Sequence, residues 1–371
     1  MLIGIDASRA TVARRTGTEA YAYFLIRGLI EKTASSGHRL RLYFNAAPPS
    51  KLFPTFDHVQ TRIIPFPRLW THVRLARELA QNPPDVFFTP AHVIPFSFRG
   101  AAVATVHDLG FHFFPAAHTA GQVAYLKLST RSNSRLSARL IADSEATSRD
   151  LANLYGVDPD IIRVVYPGLD RALSRVEDHN RLLKTWHRYQ IRPPYLLYLG
   201  TLQPRKNLSN LVRAFAMAAL PHMLVLGGKP GWQIEELQRT LQELPSSIRE
   251  QIVLPGYVAE EDKAALLSGA EAFVFPSLYE GFGFPVLEAQ VCGTPVLAAN
   301  SSSLPEVTGG SALLIDPQDV DALAQGLRRI VSDKPYREQL RRAGYLNVSR
   351  FDWGRAAEAT LAVLEEAAGI S

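Results

Sequence analysis

Phe275-Pro276-Ser277-Leu278-Tyr279-Glu280-Gly281-Phe282-Gly283-Phe284-Pro285-Val286-Leu287-Glu288-Ala289-Gln290-Val291-Cys292-Gly293-Thr294-Pro295 is the stretch whose reading decides the fold. A buried strand ends at Pro276, and a loop bearing Gly281 and Gly283 follows. A short helix starts near Pro285, where a missing N–H costs nothing, and Gly293 and Pro295 stop it. Strand, glycine loop and helix in that order present a helix N-terminus, with its unpaired amides and positive dipole end, to an anion. Gly283 lets a phosphate approach the backbone. Glu280 lies in the loop and Glu288 one helical stretch later. Two carboxylates flanking an anion site can hold vicinal hydroxyls, because each accepts two O–H bonds.

Outward from this stretch, short apolar runs alternate with longer amphipathic segments. Strand candidates in the first half are Leu2–Ile5, Arg39–Phe44, Thr61–Ile64, Val86–Thr89, Ala102–His107 and Leu140–Ala142, with helical patterns such as Thr18–Thr33, Trp70–Ala80 and Ala120–Ser137 between them. The second half offers strands at Tyr195–Leu199, Met223–Leu226, Ile252–Leu254, Ala272–Phe275, Val296–Ala298 and Ala312–Ile315. Its helical patterns are Leu208–Ala218, Glu235–Leu244, Glu260–Ser268, Val286–Cys292 and Val320–Val331. Apolar strands alternating with helices predict parallel sheets covered on both faces. With 371 residues the chain is long for one core and suits two α/β domains. Tyr166-Pro167-Gly168-Leu169-Asp170 marks the break, with the polar stretch Arg175–Arg192 and Pro193-Pro194 after it. The expected domains are residues 1–170, joined by the tail 352–371, and residues 171–351.

Composition excludes several classes. Hydrophobic residues make up 47% and charged residues 20%, which excludes a disordered chain. The sequence holds no apolar run near the ~20 residues that span a bilayer. Its start, Met1-Leu2-Ile3-Gly4-Ile5-Asp6, lacks a basic leader and reads as a first strand. Cys292 is the only cysteine, so no intrachain disulfide forms, in keeping with a reducing cytoplasm. The net charge of +5 is unevenly placed: residues 1–180 hold 21 Lys/Arg against 15 Asp/Glu, residues 181–371 hold 19 against 20. An excess of +6 in the first half suits an anionic partner. Lys127, Arg131, Arg135 and Arg139 recur every four residues and would form a basic stripe on one helix.

The Glu280–Glu288 frame, from Pro276 to Pro295, resembles the Glu-x7-Glu motif of the family-4 glycosyltransferases, retaining enzymes of the GT-B fold. Leu199-Gly200-Thr201-Leu202-Gln203-Pro204-Arg205-Lys206-Asn207-Leu208 resembles the family's first C-domain loop, with Thr201 where many relatives carry Arg. Ala104-Thr105-Val106-His107-Asp108-Leu109 resembles its histidine loop, and Arg15-Thr16-Gly17-Thr18-Glu19 its glycine loop. Ala142-Asp143-Ser144-Glu145 and the 166–170 segment match the end of its N-domain. The resemblance implies two Rossmann-like domains with parallel sheets facing across a cleft and a C-terminal helix returning to the N-domain.

It also implies the chemistry. A nucleotide-sugar donor transfers its sugar with retention, diphosphate being the leaving group. Arg205, Lys206 and the helix start at Gly283, Phe284, Pro285 and Val286 would meet the diphosphate, with Gly17 and Thr201 beside the nucleotide. Glu288 would hold the ribose; Glu280 and His107 would hold the donor sugar. The basic-loop version here is similar to that of bacterial mannosyltransferases that build surface polysaccharides, so GDP-mannose is the expected donor, with a UDP- or dTDP-sugar as the alternative. The expected acceptor is a saccharide or lipid-linked saccharide, reached by peripheral contact with an anionic membrane on its cytoplasmic side. No cofactor and no metal is expected, since cationic side chains take the metal's place.

Rival readings are thinner. A nucleotide-sugar epimerase would share the fold. The basic half could serve a nucleic acid, but no helix-turn-helix or aromatic platform accompanies it. No Gly-x-Gly-x-x-Gly follows a strand, and Leu226-Gly227-Gly228-Lys229-Pro230-Gly231 lacks P-loop spacing, so it reads as a turn beside the nucleotide. Asp158-Pro159-Asp160 and Asp319-Val320-Asp321 read as turn and helix caps, not metal pairs. Cys292 reads as packed.

Overall fold

A computed structural model describes residues 1–12, 17–66, 68–91, 93–170 and 172–370. The chain divides into two units, Met1–Gly168 with Phe351–Ser371, and Leu169–Arg350.

In the first unit the strands are β1 (Leu2–Asp6), β2 (Arg39–Phe44), β3 (Val59–Ile63), β4 (Val86–Thr89), β5 (Ala102–Val106), β6 (Arg139–Ala142) and β7 (Ile162–Val164). They form one parallel sheet in the order β3-β2-β1-β4-β5-β6-β7. Ile3, Ile5, Val86, Phe88 and Val103 pack under the helix Gly17–Thr33. Phe87, Ala102, Ala104 and Leu140 feed the core on the other face. Every side chain of β4 and β5 is buried, as expected for a sheet covered on both sides. The last helix, Trp353–Ala367, packs on Gly17–Thr33: Phe24 stacks on Trp353 at 5.5 Å, and Lys32 pairs with Glu358 at 2.6 Å.

In the second unit the strands are β8 (Tyr195–Leu199), β9 (Met223–Gly227), β10 (Ile252–Gly256), β11 (Ala272–Phe275), β12 (Val296–Ala299) and β13 (Leu313–Ile315). They lie parallel in the order β10-β9-β8-β11-β12-β13. β8, β9, β11 and β12 are buried along their whole length. In each sheet the winding reverses where a strand gains a non-sequential neighbour, at β1/β4 and at β8/β11. Ligands of such sheets bind beyond the carboxyl ends at that reversal.

Two elements were not read from the sequence, and one expectation needs correction. In the polar stretch after Arg175, Asp178 caps a helix, His179–Arg188, whose Leu182 and Trp186 pack on the second core. Strand β7 went unread because Ile162–Val164 is three residues long. The basic stripe loses a member: its helix ends at Leu136, and Arg139 opens β6 and pairs with Glu366 at 2.8 Å. A four-residue spacing continues on paper past the point where Ser137 turns the backbone to extended conformation.

Candidate active site

At the reversal of the second sheet, the loops after β8 and β11 meet. After β8 the chain passes Gly200 and Thr201 into a tight turn, Pro204–Lys206, before the helix Leu208–Ala218. After β11 it runs from Pro276 to Gly283, then into the helix Phe284–Val291. The Leu278 N–H donates to the Arg205 carbonyl at 2.9 Å, which fastens one loop to the other.

The side chains then converge. Arg205 Nη1 donates to the Tyr279 carbonyl at 2.5 Å and to Glu280 Oε2 at 3.1 Å. Lys206 Nζ donates to Glu280 Oε1. Lys206 and Glu280 are each 10% exposed at the side chain, so this is a buried cluster of two cations and one carboxylate, net +1. Burial opposes ionisation of Glu280, but Lys206 and then Arg205 outweigh it and hold the carboxyl below its usual range. Lys206 also lies over the Phe275 ring at 5.1 Å, and Phe275 stacks on Tyr198.

Ser302 and Ser303, in the loop after β12, clamp the Glu280 segment. Ser302 Oγ receives the Glu280 N–H at 2.8 Å and donates to the Glu280 carbonyl. Ser303 Oγ donates to the Phe282 carbonyl at 2.6 Å. Glu280 is thus fixed at backbone and side chain alike, which is what a preorganised site requires.

Gly283 caps the short helix at φ 117°, a conformation that favours glycine, and a Cβ there would lie 2.8 Å from Leu304. The Val286 N–H turns back to the Gly283 carbonyl at 3.0 Å, and Pro285 has no N–H. An anion meeting this helix start would find the Phe284 amide and the dipole, a narrower offer than three successive amides. Glu288, on the same helix, pairs with Lys263 at 2.8 Å, and Lys263 also meets Glu260 at 2.7 Å. Those two carboxylates overcome burial and raise the Lys263 ammonium above its usual range. Thr201 is exposed, its carbonyl accepting from Tyr198 Oη at 3.1 Å. Gly228 fits so closely against the Gly200 carbonyl that an added Cβ would lie 1.8 Å from it. Cys292 is buried, and desolvation pushes its thiol up to about 12, so it is a packed, unreactive cysteine.

In the first unit, His107 stands just after β5. Its Nδ1 meets Asp143 Oδ2 at 2.6 Å and its Nε2 the Pro90 carbonyl at 2.8 Å. Tyr21 sits edge-on at 4.7 Å between ring centroids. Both partners are acceptors, so the ring is satisfied on both sides as the imidazolium. Burial alone would lower its pKa; the Asp143 carboxylate and its hydrogen bond, with the Pro90 carbonyl, raise it above the ordinary histidine value. A sugar contact from this ring would compete with bonds already made. Gly17 begins its helix, while Arg15 and Thr16 of the same loop lie outside the described residues.

The structure therefore brings Arg205, Lys206 and Glu280 together, sets Glu288 one helix along, and holds Gly17 and His107 in the other unit. Sequence reasoning missed Asp143 as the histidine's partner, Lys263 as the partner of Glu288, and Ser302 and Ser303 as the clamp. The run Ser301-Ser302-Ser303 after a buried strand was the available signal for the clamp. Nothing in the spacing of Lys263 and Glu288 pointed to their meeting. Among the described residues no three or more His, Cys, Asp or Glu side chains gather as a metal site, and no helix is long and apolar enough to cross a membrane.

Comparison with known proteins gives the following. Residues 187–347 match the family profile described as Glycosyl transferases group 1, and residues 15–173 that described as Glycosyltransferase Family 4. The O-antigen chain mannosyltransferase B of Escherichia coli is 30% identical over 283 residues, covering 74% of this chain and 73% of that protein. The serotype-specific mannosyltransferase WbdA of Escherichia coli is 31% identical over 225 residues, 59% of this chain but 27% of WbdA, so the match spans about a quarter of that relative. Among solved structures, a sucrose-phosphate synthase from Thermosynechococcus elongatus superposes with a TM-score of 0.75 at 20% identity, covering all of both chains. The Anabaena protein HepE, solved with UDP and glucose, superposes with a TM-score of 0.73 at 17% identity, covering 98% of this chain and 99% of that one.

Proposed function

The chain belongs to the family 4 glycosyltransferases, with the GT-B fold, and we propose that within this family it moves mannose from GDP-mannose, with retention, to a saccharide or lipid-linked saccharide acceptor of a surface polysaccharide. The observation that carries this reading is the buried Arg205–Lys206–Glu280 cluster beyond β8 and β11. Its two cations suit a diphosphate whose charge grows as the sugar bond breaks. The mannosyltransferases among its relatives support the choice of sugar.

In this reading Arg205, Lys206 and the Phe284 amide hold the diphosphate, and Glu288 accepts the ribose hydroxyls. Glu280 keeps a second lone-pair direction on each oxygen for donor-sugar hydroxyls. The leaving phosphate takes the acceptor proton on the face it vacates, so the sugar retains its configuration and no carboxylate nucleophile is used. His107, its ring nitrogens engaged by Asp143 and the Pro90 carbonyl, acts in this reading as a positioning residue for the loop after β5. The cluster's own cations do the work a divalent metal would do.

A thermal-shift panel tests the donor. GDP-mannose should raise the melting temperature in proportion to ln(1 + [L]/Kd), and should do so equally with EDTA. A clear preference for UDP- or dTDP-sugars would overturn the donor assignment. Stabilisation that requires manganese would overturn the metal-free mechanism.

A further inference from the structure

The helix Phe284–Val291 carries two polar side chains with different fates. Two residues apart on a helix, Glu288 and Gln290 do not share a face. Glu288 turns toward Lys263, while Gln290 turns inward and is 1% exposed. A buried amide must find partners for its donors and its acceptor. Gln290 Nε2 donates to Ser311 Oγ at 2.7 Å, and Ser311 Oγ donates in turn to the Thr308 carbonyl. Gln290 Oε1 accepts from Asn347 Nδ2 at 2.8 Å.

Asn347 lies near the end of the helix Lys334–Val348 and is itself buried. Its Nδ2 also donates to the Val307 carbonyl at 2.9 Å, and its Oδ1 accepts from Arg350 Nη1 at 2.8 Å. Arg350 Nη2 reaches the Glu306 carbonyl at 3.2 Å. Gly344, one turn before Asn347, lets the two helices approach: an added Cβ would lie 3.1 Å from Gln290 Cγ. Arg341 Nε, a further turn back, donates to the Gly293 carbonyl at 2.8 Å and ties down the chain just past the Glu288 helix.

Glu306 and Val307 belong to the helix Leu304–Thr308, which begins directly after Ser302 and Ser303, the two residues that clamp the Glu280 segment. One nitrogen of Asn347 therefore bonds both to the helix that carries Glu288 and to the helix that follows the Glu280 clamp. An apolar side chain of similar volume would fill the same space, but it would leave the Glu288 helix free to roll. A fully satisfied buried network fixes direction as well as distance.

We propose that Asn347, acting through Gln290, is a positioning residue for Glu288. It sets the rotation of the Glu288 helix against the Glu280 clamp, and so aims the ribose carboxylate beside the diphosphate cations. This role rests on the ribose reading of Glu288 given above, and a double-variant cycle separates a failure of one from a failure of the other.

The experiment is isothermal titration of the full chain with GDP and with inorganic diphosphate, which has no ribose, alongside melting curves. The variants are Glu288→Ala, Asn347→Leu, their combination, and Asn347→Leu/Gln290→Met. The last removes both ends of the buried bond, a change that leaves stability nearly unaltered and so keeps the test open where Asn347→Leu alone unfolds. GDP affinity should fall about fivefold or more in both Asn347 variants, the worth of one hydrogen bond. Inorganic diphosphate should bind every variant within about twofold of wild type. In the Glu288→Ala background, Asn347→Leu should cost GDP affinity nothing further, because its only route to the ligand is gone. Wild-type GDP affinity in a folded Asn347→Leu/Gln290→Met, with Glu288→Ala impaired, overturns the positioning role and leaves the ribose reading standing. An equal loss for inorganic diphosphate, or a full Asn347 effect that persists in Glu288→Ala, also overturns it. Wild-type GDP affinity in Glu288→Ala itself removes the ribose reading, and the role of Asn347 with it.

Discussion

The two units each bury an ion pair at a strand end, and the two pairs are built to opposite plans. Around His107 one cation is hydrogen-bonded by one carboxylate and a carbonyl, with the Asp108 charge close by, and the ring has no nitrogen left to offer. Around Glu280 one carboxylate faces two cations. The first arrangement is closed in its hydrogen bonds and fixes a shape. The second is open in the sense that the proposed diphosphate site requires, with two cations set on one carboxylate. Charge balance inside each cluster, more than the identity of any one residue, is what the proposed split between a positioning role and a role in the reaction turns on.

The sharpest way to break this comparison is to remove one of the two cations. Lys206→Met leaves Glu280 with Arg205 alone and a net charge of zero. Turnover should fall about 10²–10³-fold, the usual cost of losing one preorganised group facing transition-state charge. Breaking a buried pair also costs stability, about 3 kcal/mol. Steady-state kinetics with GDP-mannose would check it, and a variant within threefold of wild type would remove the electrostatic role. His107→Gln, by contrast, should spare most of the turnover, because the amide can still donate to one of the two acceptors.

Next in size is Glu288→Ala. Glu288 sits outside the cluster and is held by Lys263, so it should act on binding and not on the chemical step. Loss of its hydrogen bonds to ribose hydroxyls should weaken donor affinity about tenfold to a hundredfold, or about 1.5–3 kcal/mol. Isothermal titration with GDP-mannose and with GDP would show equal losses. A loss confined to kcat would place Glu288 at the reacting centre instead.

The sequence made the open cluster legible and the closed one only in part. Arg205-Lys206 after a buried strand and Glu280 in a glycine loop both follow strand ends, where parallel sheets put their ligands, so each was visible from local pattern. Their meeting depends on β8 and β11 being neighbours across a topological reversal, which the alternation of strands and helices implies. The Asp143–His107 bond depends on β5 and β6 being neighbours, and nothing within Ala142-Asp143-Ser144-Glu145 itself points to the histidine. The Lys263–Glu288 pair joins two helices, and no periodicity within either helix reports the neighbour across from it. The stripe failed for the reverse reason: spacing survived where the helix did not.

The smallest effect concerns pH, and it sets the two clusters against each other by sign. The folded His107 ring has its pKa raised above the ordinary ~6.5, so its pair stabilises fully below ~6.5. That contribution is lost as pH rises through the folded value. Glu280 is shifted the other way. Its contribution is present above the ordinary carboxyl value of ~4.5 and is lost only as pH falls through the depressed folded one. Melting curves of wild type, His107→Gln and Glu280→Gln between pH 3 and 9 should then diverge in opposite directions. The gap between wild type and His107→Gln should be widest near pH 6 and should narrow toward pH 9. The gap between wild type and Glu280→Gln should stay level across that range and shrink only in acid. A His107→Gln gap that grows with pH would mean the ring is neutral in the folded protein. One of its nitrogens would then be an acceptor facing an acceptor, unless Asp143 carries the proton, and the closed cluster would lose its cation. A level gap at every pH would leave His107 a packing residue whose charge contributes nothing to the fold.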